Sequence, residues 1–142
     1  MKLTIEVVTP EKIIFSGSAD MVIAPAVGGD VGILPRHIPL FSRLKIGELQ
    51  IKREGQTEYF AINGGFLDVK DNKVTVLTET ARRSDQISEQ AVLEAKERAE
   101  TIMKESKTKE DFAAAEASLR RSLLELKVVR RKNRKGTETL QS

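Results

Sequence analysis

The chain has no cysteine and no tryptophan, four prolines and a single histidine among its 142 residues. Without cysteine there is no disulfide framework, no thiolate nucleophile and no sulfur-ligated metal site. No window approaches the ~18 apolar residues that a membrane-spanning helix needs. The N-terminus is not expected to be a signal peptide, because Lys2 and Glu6 flank only short apolar pairs. Charge is nearly balanced at +3, too little by itself to imply a nucleic-acid partner. Aromatics are scarce and unevenly placed: Phe15, Phe41, Tyr59, Phe60 and Phe66 precede residue 67, and only Phe112 follows. The bulky core is therefore expected in the first half. Past about Arg83 the composition turns to Ala, Glu, Lys, Arg and Leu, which marks a boundary near residues 82–86.

Up to about residue 80 the pattern is that of strands. Leu3-Thr4-Ile5-Glu6-Val7 and Glu48-Leu49-Gln50-Ile51-Lys52 alternate apolar and polar, as half-buried strands do. Glu58-Tyr59-Phe60-Ala61-Ile62 and Gly65-Phe66-Leu67-Asp68-Val69 predict two further strands, with turn chemistry at Glu54-Gly55-Gln56, at Lys70-Asp71-Asn72-Lys73 and at Thr9-Pro10-Glu11. Many short strands with such punctuation predict a β-sandwich or barrel. The segment from Gly28 to Leu40 gathers three glycines and two prolines, and is expected to be a shaped corner or loop rather than regular sheet.

From Ser88 the period changes to three or four. Ile87, Ala91, Ala95, Ala99 and Ile102, with Val92 and Met103 beside them, predict one amphipathic helix. A polar break at 105–109 follows, in which Thr108 and Asp111 have capping-box spacing. Phe112, Leu119, Leu123 and Leu126 predict a second helix to about Lys132, antiparallel to the first. The last ten residues, Asn133 to Ser142, are polar and aperiodic and are expected to be disordered.

Little in this pattern does chemistry. His37 has no acid nearer in its loop than Asp30 and no nucleophile beside it, so catalysis is disfavoured. Gly28, Gly29 and Gly32 fail as a phosphate loop because Ile33-Leu34-Pro35 follows where a Lys-Ser/Thr and a helix start are needed. The carboxylates show no metal-ligand spacing, and no cofactor is expected. The run from Lys127 to Lys135 holds six cations in nine residues. It suits a solvated helix end or an acidic protein surface, and lacks an aromatic for stacking on nucleic acid.

Three separated markers carry a family resemblance: Val8-Thr9-Pro10-Glu11, Gly32-Ile33-Leu34-Pro35-Arg36-His37-Ile38-Pro39-Leu40, and Gly64-Gly65-Phe66-Leu67-Asp68-Val69. In that order, ahead of a helical hairpin, they resemble the epsilon subunits of F-type ATP synthases, of the bacterial type. The resemblance implies an N-terminal β-sandwich over residues 1–84, a C-terminal antiparallel α-helical hairpin over 85–132, and a basic and polar tail over 133–142. It implies a non-catalytic rotor subunit that docks on the gamma subunit and the membrane c-ring and couples proton flow to ATP synthesis. Gly32, Ile33, Leu34, Pro35, Arg36, His37 and Pro39 would form the docking loop toward the ring. The hairpin would inhibit ATP hydrolysis when extended, with Arg120, Arg121, Arg130 and Arg131 meeting acidic segments of the catalytic subunits. No nucleic acid is implied, and the membrane is reached only through the complex. The expected location is peripheral, on the cytoplasmic face of a bacterial membrane or, alternatively, the stromal side of a thylakoid. Some relatives hold ATP on the hairpin through Ile/Leu-Asp-x-x-Arg-Ala. Here Ala91 and Glu94 stand at the Asp and Arg positions, which disfavours the alternative of a nucleotide-sensing module.

Overall fold

The computed structural model describes residues 2–131 in full and the course of the last helix to Gln141. The tail expected over 133–142 lies outside the fully described residues. Contacts divide the chain into two units, Met1–Arg83 and Ser84–Ser142.

The first unit contains, among the described residues, eight strands. They are β1 (Leu3–Val8), β2 (Ile13–Ala19), β3 (Met21–Ala26), β4 (Gly29–Ile33), β5 (Leu40–Arg53), β6 (Gln56–Lys70), β7 (Lys73–Leu77) and β8 (Ala81–Arg83). They pair in the order β2-β1-β7-β6-β5-β3-β4, with β8 also on β6. The β1–β7 pair is parallel and the rest are antiparallel. The two hairpins of clearest sequence signal close in two residues. Glu54 and Gly55 have φ of 51° and 78°, and Asp71 and Asn72 have 50° and 63°, the signature of type I′ turns.

Two expectations need correction. Gly28–Leu40 is not loop throughout, because Gly29–Ile33 forms β4 against β3. It lies at the sheet edge with a single neighbour, where glycine weakens pairing less than in a central strand. The two strands read at Glu58–Ile62 and Gly65–Val69 are one long strand, β6. Its first half pairs with β8 and its second with β7, and the change of neighbour falls at Asn63–Gly65. A strand that bends and changes sheets is how one continuous ladder closes into a two-layer sandwich. Leu3, Ile5, Val7, Val22, Ile33, Leu49, Ile51, Phe60, Ile62, Leu67, Val69 and Val74 fill the space between the layers.

The second unit begins with a 3-10 turn, Ser84–Gln86, followed by α1 (Glu89–Glu105) and α2 (Lys109–Gln141). Ser88 Oγ accepts the Ala91 N–H at 3.3 Å, and Thr108 Oγ1 accepts the Asp111 N–H at 3.0 Å, so both helices start on hydroxyl caps. The helices run antiparallel: Arg130 Nε, late in α2, donates to Glu89 Oε1 at the start of α1 at 2.9 Å. The buried stripe differs from the one read in sequence. In α2 the buried residues are Ala115, Ser122, Leu126, Val128 and Val129; of the four expected, Leu126 is buried and Leu119 half-buried, while Phe112 and Leu123 are exposed. In α1, Val92 and Ala99 are buried and Ala91 and Ile102 are not. Alanine and serine take part of the buried stripe beside Leu126, Val128 and Val129, and Phe112, Leu123 and Ile102 lie outside it.

Candidate docking site

The corner that holds the sole histidine is built by a tight turn after β4. His37 N–H donates to Leu34 C=O at 3.1 Å, with Pro35 and Arg36 between them. Proline at the second position and a positive φ at the third, here 68° at Arg36, are the marks of a type II turn. Arg36 carries that φ although it is not glycine. Its N–H donates to Asn72 Oδ1 at 2.7 Å, in the turn between β6 and β7. His37 Nδ1 lies 2.7 Å from Ile38 C=O, where it donates in the tautomer protonated at Nδ1, and among the described residues no acid or nucleophile is bonded to the ring. The geometry gives His37 a folding partner rather than a reacting one.

Of the residues expected in this loop, Gly32 lies on the edge strand and Ile33 is fully buried, anchoring the corner to the core. Leu34 stands 55% exposed, Arg36 and Pro39 are exposed, and Pro35 and His37 are half-buried. Sequence reasoning passed over Ile38, which is 75% exposed, the most open of the large apolar side chains among the described residues. Leu34 and Ile38, two exposed aliphatic residues flanking a fixed turn, make its tip apolar.

A second apolar surface lies on the outward side of β5, β6 and β7. Phe41 and Phe66 stack with ring centroids 5.6 Å apart and planes 22° apart, and stand 66% and 43% exposed. Leu77 pairs with Phe66 across β6 and β7 and is exposed as well. The stack links residues 25 positions apart, so only the register Phe41↔Asp68 and Arg43↔Phe66 brings them side by side.

The arginines expected on the hairpin are spread around α2. Arg120 is exposed and bonded to Glu116 at 2.6 Å, Arg121 is exposed, and Arg130 bridges to Glu89. Arg131 is half-buried and already engaged. Ala91 and Glu94 both face solvent from α1. Among the described residues, no three His, Asp or Glu side chains converge as metal ligands would. No helix there is long and apolar enough to cross a membrane.

Residues 2–84 match the family described as ATP synthase, delta/epsilon chain, beta-sandwich domain, and residues 85–130 match the long alpha-helix domain of the same chain. The chain is 44% identical over 136 residues to an ATP synthase epsilon chain of Nitrosococcus oceani, covering 95% of this chain and 97% of that one. It is 46% identical over 129 residues to that of Halorhodospira halophila, covering 89% and 92%. Among solved structures, a chain of the Euglena gracilis mitochondrial ATP synthase (OSCP/F1/c-ring, rotational state 1) superposes with a TM-score of 0.73 at 21% identity. The match covers 83% of this chain and 75% of that one. A chain of the Tetrahymena thermophila central stalk and c-ring gives 0.57 at 17%, covering 91% and 97%. At those identities the structural likeness speaks for the fold.

Proposed function

Since the chain belongs to the ATP synthase delta/epsilon-chain family, as an epsilon chain, we propose that it is a non-catalytic rotor subunit with two jobs. The β-sandwich docks on the gamma subunit and the c-ring, and the helical hairpin restrains ATP hydrolysis. The observation that carries the docking role is the apolar tip of Leu34 and Ile38, held on a turn whose backbone is tied at both ends. The strip of Phe41, Phe66 and Leu77 is a second surface, available to gamma. The membrane is then reached through the complex, from the cytoplasmic side.

The docking role has a direct test. Ile38→Asp places a charge at the centre of the tip while leaving the core untouched. It is expected to weaken co-purification of the chain with the ATP synthase by roughly tenfold or more, as burying an unpaired carboxylate costs at least about 1.4 kcal/mol. Co-purification equal to that of the parent chain would remove the tip from the interface.

The restraining role is supported by the thinness of the hairpin seam. Its buried side chains are alanine, serine and a few aliphatics. Each Val or Leu contributes at most ~1.5–3 kcal/mol before entropy is subtracted. A differential of about 5.5 kcal/mol inverts a 1:99 population, so a partner can rearrange such a hairpin. Arg120 and Arg121 face solvent for an acidic partner surface, and Arg130 would have to leave Glu89. Removing everything after Asp85 is expected to leave assembly intact and to raise ATP hydrolysis by the complex about fivefold or more, the yield of ~1 kcal/mol of coupling. Unchanged hydrolysis would refute the restraint. The exposed carboxylate of Glu94 where a cation would be needed argues against a nucleotide-sensing hairpin.

A further inference from the structure

The turn at the docking tip is improbable on its own terms. Position three of a type II turn suits glycine, and Arg36 occupies it at a φ of 68°. What holds it there is remote in sequence. Asn72, half-buried in the β6–β7 turn, accepts the Arg36 N–H on Oδ1 at 2.7 Å, while its backbone C=O accepts the Thr4 N–H at 3.0 Å. One residue thus joins the tip to both β1 and the hairpin.

Asn72 suits its own turn, but glycine would suit it better. The second position of a type I′ turn after aspartate favours glycine above asparagine. Asparagine differs in bringing a side-chain acceptor, and that acceptor is the atom used. We propose that Asn72 is the positioning residue of the docking tip: its side-chain carbonyl keeps Arg36 left-handed, and so keeps Leu34 and Ile38 aimed outward together. This rests on the docking role proposed above for the tip.

Two substitutions separate the acceptor from the backbone. Asn72→Gly keeps the left-handed turn and removes the oxygen, while Asn72→Asp keeps both the oxygen and a residue tolerant of positive φ. In the full-length chain, Asn72→Gly is expected to leave the thermal midpoint unchanged or higher. It should speed hydrogen exchange at the Arg36 amide by about five- to tenfold, the worth of one hydrogen bond. Reassociation with ATP synthase depleted of this chain should weaken several-fold, and Asn72→Asp should restore both exchange and reassociation. Unaltered Arg36 exchange in Asn72→Gly overturns the proposal. So does faster exchange with parental reassociation, when Ile38→Asp measured in parallel does weaken it. Parental reassociation in both Asn72→Gly and Ile38→Asp removes the docking role of the tip, and the proposal with it.

Discussion

Gly65→Ala is expected to cost the β-sandwich about 4 kcal/mol or more, enough to unfold it or leave it marginal. A Cβ added at Gly65 would lie 1.9 Å from Leu77 O and 2.9 Å from Leu77 C and Thr78 Cα. All three are backbone atoms at the end of β7 and just past it, so no rotamer change relieves the overlap. The residue also stands at a φ of 121°, outside even the left-handed region that asparagine visits. The only remedy is to separate β6 from the end of β7, at the point where β6 changes partners. Gly64→Ala is the internal control. Its Cβ would meet Leu44 O at 3.3 Å and its φ is 73°, a strained but attainable geometry that costs roughly 1–2 kcal/mol. Denaturant melts of the full chain followed by Tyr59, the sole tyrosine and a residue of β6, measure both. Equal losses for the two glycines would contradict the assigned geometry.

Phe60→Ala is the second large effect, at about 3–5 kcal/mol. Phe60 is wholly buried and meets Phe15 edge to face, with ring centroids 5.8 Å apart and planes at 73°. The aromatic pair is also the floor of a charged cluster. Arg53 lies over Phe15 at 5.0 Å and Arg83 over Phe60 at 5.8 Å. Both guanidiniums bond Glu58 Oε1, at 3.0 and 3.2 Å. Removing the Phe60 ring leaves a cavity and withdraws the surface on which Arg83 rests, so β8 should loosen with the core. Phe60→Leu keeps most of the volume and is expected to cost under about 1.5 kcal/mol. If the two substitutions cost the same, packing at this site is not what stabilises it.

Much of this fold is legible in the chain because its causes are local. Period-two alternation places Leu3, Ile5 and Val7 on one face, and all three are buried. Asp71-Asn72 announces a two-residue turn through its tolerance of positive φ, and Gly55 does so for the turn it shares with Glu54. Ser88 and Thr108 announce helix starts through the hydroxyls that cap them. The glycine pair at 64–65 reads as a bend or close approach, and the backbone of Leu77 shows what is approached. The markers around Thr9-Pro10, the tip and the glycine pair sufficed for the family because they keep their order and spacing along the chain.

Other features have no local cause. β4 carries Gly29 and Gly32, so that only Val31 and Ile33 mark its inner face, and β8 is three residues long, so each is a strand only because β3 or β6 offers a ladder. The helical seam takes in Ala115 and Ser122 and leaves out Phe112 and Leu123, so the most apolar side chains do not mark it. Ile33 and Ile38 are the same residue type five positions apart, yet one is core and the other the most open aliphatic of the tip. Sequence alone determined the class of fold and the family, both carried by neighbours along the chain. Tertiary structure alone decided what the tip presents and what holds it. Arg36 and Asn72 are 36 positions apart, and a hydrogen bond of 2.7 Å exists between them only after β5, β6 and β7 have paired in register.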